Sequence, residues 1–112
     1  MRHSILFILG ISSIIFATSA DAAIYKGRMA YVEDCQSCHG KGDVLLASKT
    51  KSEWETLMQD QGRGLAKRHL SSKKSIKSWE YFDSPIYVKK SRHLKDFLVE
   101  YAKDSGNVLA CE

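Results

Sequence analysis

Cys35-Gln36-Ser37-Cys38-His39 is the stretch on which the reading of this chain turns. Two residues separate the thiols, so one helical turn brings both sulfurs to the same edge, with the imidazole of the next residue directly beneath. A redox dithiol also uses this spacing, but it belongs near a βαβ pattern, and the flanks here read as helices. A zinc site needs four N or S donors. Cys35, Cys38, His39 and one distant histidine could be forced into such a set, yet no second ligand pair has zinc-like spacing. A plain Cys35–Cys38 disulfide is the simplest alternative.

The chemistry that best explains the whole pentapeptide is covalent attachment of haem. Each thiol adds across one vinyl group of the porphyrin to form a thioether. His39 then lies under the ring and bonds the iron as proximal axial ligand. One haem c, held by Cys35, Cys38 and His39, is therefore the expected cofactor.

The N-terminal residues agree with that reading. Met1-Arg2-His3 is a short basic start, Ser4 to Phe16 is almost wholly apolar, and small residues follow through Ala22-Ala23. This is the pattern of a secretory signal peptide. The apolar run is about 13 residues, short of the ~20 that span a bilayer, so cleavage after Ala22 is expected rather than a permanent membrane anchor. Residues 1–22 are read as the leader and 23–112 as the haem domain. The expected location is the periplasm, outside the cytoplasm, where c-type haem is attached.

The whole chain has 112 residues and a formal net charge of +4, and loss of the leader, with one base and one acid, leaves that charge unchanged. One domain is the most it can form. Neither a P-loop nor a dinucleotide-binding glycine pattern occurs, which argues against a nucleotide enzyme. A single proline, Pro85, and long runs without turn signals argue against a many-stranded sandwich or barrel. A mature domain of about 90 residues buries a marginal core, and haem is expected to supply much of the apolar area.

Further out, Gly27-Arg28-Met29-Ala30-Tyr31 precedes the pentapeptide and Gly40-Lys41-Gly42 follows it. These segments together resemble the first helix and haem-binding turn of small class I cytochromes c. In that family a glycine eight residues before the first cysteine lets the C-terminal helix cross closely, and an aromatic stands four residues before that cysteine. Gly27 and Tyr31 occupy those positions. The resemblance implies an all-α fold of three to five short helices wrapped around one covalently bound haem.

Periodicity supports helices. Leu94, Phe97, Leu98 and Tyr101 form one apolar stripe, with Ser91 as expected N-cap and Gly106 as the stop. The stripe is expected to pack on residues 24–35. A middle helix is expected from about Glu53 to Gln61, opened by a Ser52…Glu55 capping box and turning Trp54, Leu57 and Met58 inward, with Leu65 just beyond. A third segment, about Lys73 to Phe82, places Ile76, Trp79 and Phe82 inward and ends at Pro85, whose ring biases Ser84 away from helix.

The side of the iron opposite His39 decides between electron carrier and ligand binder. Class I cytochromes usually use a methionine there, often followed by proline, and this chain has no Met-Pro. Met29 lies on the proximal helix, and His93 reads as a solvated residue between Arg92 and Lys95. His69 follows the Gly62-Arg63-Gly64 break, about where the family's loop delivers its methionine. His69 is the expected distal ligand and Met58 the runner-up. A bis-histidine iron has a lower potential than a His/Met one.

Arg63, Lys67, Arg68, Lys73, Lys74 and Lys77 flank that loop with no acid between Gln61 and Trp79. A basic rim would steer an acidic redox partner protein. Nucleic-acid binding is not expected, since no such motif is present. Cys111 is an odd cysteine beside the terminus, expected to be an inert thiol. The expectation is thus a periplasmic mono-haem electron carrier, not an enzyme. The alternatives are a haem-based small-ligand binder or sensor with an open distal site, and a thiol-disulfide or zinc protein without haem.

Overall fold

The computed structural model of the protein describes residue 10 and residues 19–109. Most of the apolar leader run, and Cys111, lie outside the described residues. Among the described residues the chain is mostly helical and has no strand. The elements are α1 (Ser19–Asp34), α2 (Gln36–His39), α3 (Asp43–Leu46), α4 (Lys51–Leu57), α5 (Gln59–Leu70), a 3-10 segment η1 (Lys73–Ser78), α6 (Trp79–Phe82) and α7 (Pro85–Glu100). The all-α expectation holds. The helices outnumber the three to five expected, because the positive-φ glycines Gly40 and Gly42 and the non-helical Met58 between α4 and α5 break the chain into short pieces, and α5 itself kinks at Asp60–Gly62. Of these helices none is long and apolar enough to cross a membrane. The Ala20-Asp21-Ala22 triplet lies in the first turn of α1.

α1 and α7 form the largest helix pair, and their crossing is set by one residue. A Cβ on Gly27 would collide with the His93 carbonyl oxygen and stand 2.7 Å from the Phe97 Cβ. Only the bare backbone of glycine lets the two axes approach this far. Leu94, Phe97 and Leu98 are buried here as expected, and the Tyr31 ring lies 5.8 Å from that of Phe97. On the same crossing Lys90 reaches Glu33 at 2.9 Å and Asp34 at 3.0 Å. The buried cluster continues through Leu46, Trp54, Met58, Phe82 and Tyr87. The chain's own side chains thus build a connected core.

Three boundaries differ from expectation. The capping box of α4 is Thr50…Glu53, not Ser52…Glu55: Thr50 is extended at φ −72° and ψ 164°, so its side chain meets the Glu53 amide. Both Ser/Thr-x-x-Glu spacings are present, and α4 begins at the first. The helix then ends at Leu57, before a left-handed turn through Asp60, Gln61 and Gly62. The Tyr87 hydroxyl closes this turn by donating to the Gly62 carbonyl at 2.6 Å.

The last helix starts six residues before Ser91. Pro85 sits at its first position and the Ser84 hydroxyl accepts from the Tyr87 amide, because proline's fixed φ suits the first turn where no N–H is needed. Ser91 is consequently interior to the helix, 2% exposed, with its hydroxyl on the Val88 carbonyl. The helix ends at Glu100, and Gly106 lies in the tail beyond it. In the third segment Phe82 is buried and Trp79 half-buried, but Ile76 is 58% exposed. Residues 73–78 wind as a 3-10 helix, whose period of three re-aims the side chains relative to an α-helix.

Candidate functional site

The pentapeptide is one continuous turn at the end of α1. The Cys35 amide donates to the Tyr31 carbonyl at 2.8 Å, and the Cys38 and His39 amides donate to the Cys35 carbonyl at 3.2 and 3.0 Å. Both cysteines are free thiols, Cys35 half-buried and Cys38 exposed, so they are not paired as a disulfide. The chain leaves through left-handed glycines at Gly40 and Gly42. Tyr31 anchors this exit: its hydroxyl donates to the Gly40 carbonyl at 2.8 Å, and a Cβ on Gly42 would stand 2.9 Å from its ring.

Electrostatics follow the burial. Cys35 is pushed up to about 12, first by burial and then by the Asp34 and Cys38 charges, with Lys90 opposing. Burial likewise pushes Tyr31 up to about 12. The His39 imidazole is held below its ordinary range, first by desolvation and then by repulsion from His69.

That last neighbour completes the arrangement. The ring centres of His39 and His69 lie 6.0 Å apart with planes at 79°. His69 is in the last turn of α5, half-buried, with Nδ1 at 2.8 Å from the Leu65 carbonyl. A carbonyl can only accept, so Nδ1 carries the proton and the Nε2 lone pair is left for a metal. Phe82 covers one ring face at 4.1 Å and 21°. Imidazole nitrogen bonds a first-row metal at about 2.0–2.1 Å, and the ring centre lies roughly 1.1 Å behind that nitrogen, so two imidazoles on opposite sides of one ion have centres about 6.3 Å apart. The observed separation matches this spacing, and the pair stands at the turn that carries both thiols. Two thiols and two imidazoles at one end of the fold are the donor types by which a haem c would be held.

The other donors are elsewhere. Met58 is 3% exposed in the core, and its methyl is 3.2 Å from where a Gly62 Cβ would be. Met29 is an exposed residue of α1. His93 differs from expectation: it is half-buried at the α1–α7 crossing, and its Nδ1 is buried without a hydrogen-bond partner. No group of three or more His, Cys, Asp or Glu side chains among the described residues is placed to hold a metal ion. Arg63, Lys67, Arg68, Lys73, Lys74 and Lys77 are all exposed, on the same α5–η1 stretch that carries His69.

Sequence reasoning missed the supports of His69. Its carbonyl accepts from the Trp79 indole N–H at 2.7 Å and the Ser75 hydroxyl at 2.6 Å. Ten and six residues of separation leave no periodic signal for these contacts. The Tyr31 hydroxyl was similarly invisible, because its position marks it only as an apolar packing residue.

Compared with protein-family models, with curated proteins and with solved structures, the chain matches none.

Proposed function

We propose that this protein is a periplasmic mono-haem c-type cytochrome with a class I-like fold, a single-electron carrier rather than an enzyme. The observation that carries the reading is the His39–His69 ring pair, 6.0 Å apart at a Cys-x-x-Cys-His turn. Haem, when bound, supplies a one-electron ferric/ferrous couple. Every other element belongs to the chain. Cys35 and Cys38 hold the group covalently, on a turn fixed by α1 and by the Tyr31–Gly40 hydrogen bond. His39 is the proximal ligand and His69 the distal one. Leu65 fixes the His69 tautomer by accepting from Nδ1, which also raises ligand basicity. Phe82 shields one His69 face from water. Two histidine donors favour a low potential relative to His/Met ligation. The exposed lysines and arginines of α5 and η1 attract an acidic redox partner.

A second imidazole whose ring centre is 6.0 Å from that of His39 counts against the reading of an open-site ligand binder. The test is haem staining of exported protein, followed by the ferric spectrum. The expected result is a covalent haem with a six-coordinate low-spin signal, converted to high-spin by His69→Ala and kept by Met58→Leu. A protein from its native host with no haem-sized adduct on the pentapeptide overturns the proposal. A high-spin ferric signal with rapid carbon monoxide binding selects the ligand binder instead.

A further inference from the structure

We infer that Phe82, Trp79 and Ser75 are positioning residues for the His69 imidazole, Phe82 acting on its ring face and the other two on its backbone carbonyl. This rests on the haem-ligand reading above. His69 is next to last in α5, where a helix has orphan carbonyls and commonly frays. Its end is held instead. The His69 carbonyl accepts from Trp79 Nε1 at 2.7 Å, from Ser75 Oγ at 2.6 Å and from the Ser72 amide at 3.2 Å. A carbonyl has two lone pairs, so these donors saturate it. The main chain at the ligand is therefore pinned to η1 and α6.

The ring is pinned separately. Nδ1 is tied to Leu65 and one face lies on Phe82, leaving rotation about the last side-chain bond blocked from two directions. Phe82 is itself immobilised, with edge contacts to Tyr87 at 4.8 Å and Tyr81 at 5.3 Å between ring centres. A metal ligand must be held within about 0.5 Å of its productive place by neighbours whose own positions are locked. Loss of such outer partners typically costs 10–100-fold in metal binding.

The test uses full-length haem-loaded protein carrying Phe82→Leu or Trp79→Phe. The first removes the stack at similar volume, and the second removes the indole N–H but keeps a ring. The readouts are ferric spin state and the rate of carbon monoxide binding to the ferrous form, beside helical circular dichroism. The expected result is a high-spin fraction and about tenfold faster carbon monoxide binding at unchanged helicity, with Phe82→Tyr restoring both. Variants that keep the parent spin state and rate within twofold overturn the inference. If neither variant folds, Ser75→Ala, which deletes one hydroxyl, carries the same test with the same outcomes. A parent protein that is itself high-spin and binds carbon monoxide fast overturns this inference together with the ligand assignment. A low-spin parent with unresponsive variants overturns the positioning role alone.

Discussion

Gly27→Ala is the most diagnostic single change in this fold, because its sign separates two accounts of the residue. On an open helix surface, replacing glycine with alanine gains about 1 kcal/mol from helix propensity. At the α1–α7 crossing the new methyl meets the His93 carbonyl and lies 2.7 Å from the Phe97 Cβ. Overpacking a core typically costs 1–3 kcal/mol. Backbone on one side and a Cβ on the other cannot swing away as a flexible side chain would, so the upper end, about 3 kcal/mol, applies. After the propensity gain, the expected net loss is about 2 kcal/mol. With a urea slope of roughly 2 kcal/mol per molar for a small domain, the midpoint falls by about 1 M. Urea titration of the full-length protein followed by helical circular dichroism measures it. A midpoint that rises or stays in place would refute the claim that Gly27 is retained for helix approach.

Tyr87→Phe strands the buried Gly62 carbonyl that the hydroxyl now satisfies at 2.6 Å, so the left-handed turn loses about 1–3 kcal/mol, read as a lower urea midpoint. The haem-free protein should weaken in acid through His39. Its folded pKa lies below the ordinary 6.5, so between the two values the unfolded chain binds the extra proton and stability rises with pH. The contribution is complete above 6.5 and is lost as pH falls through the lowered folded value; thermal melts at neutral and mildly acidic pH should show the loss in the parent and a smaller one in His39→Gln. Oxidation of reduced protein by ferricyanide should slow with added salt and in Lys73→Glu/Lys74→Glu, since both treatments weaken attraction of an anion to the exposed basic stretch. Equal rates at low and high ionic strength would remove the steering role.

Features written in local spacing were readable before any coordinates. The thiol–imidazole turn depends on residues within one helical turn. The α7 stripe of Leu94, Phe97 and Leu98 repeats at the helix period, whereas the close crossing at Gly27 is implied only by the resemblance to class I cytochromes c. What escaped was non-local or ambiguous. In sequence Pro85 marks an ending, yet proline both stops one helix and opens the next, and only Ser84's cap shows which dominates here. Asp60 and Gln61 adopt positive φ with no glycine to announce it, a conformation imposed by the turn that Gly62 and Tyr87 close. Ile76 followed an α-helical period in a segment that winds more tightly. The Phe82 stack on His69 joins residues thirteen apart with no pattern between them. Proximity of the two imidazoles is likewise a tertiary fact; loop position could nominate His69 but not bring it to His39.

The contact of Gly27 with His93 and Phe97 also has a temporal side. It joins the opening helix to the closing one, so the first cannot dock until nearly the last residue has been delivered. Closing so long a loop is slow compared with forming any single helix. Until that docking, the two sulfurs of the pentapeptide stand at the end of a helix with no partner packed against it. Docking of the carboxyl-terminal helix leaves Cys35 half-buried and Cys38 exposed, so closing the fold restricts access to the first thiol and leaves the second open.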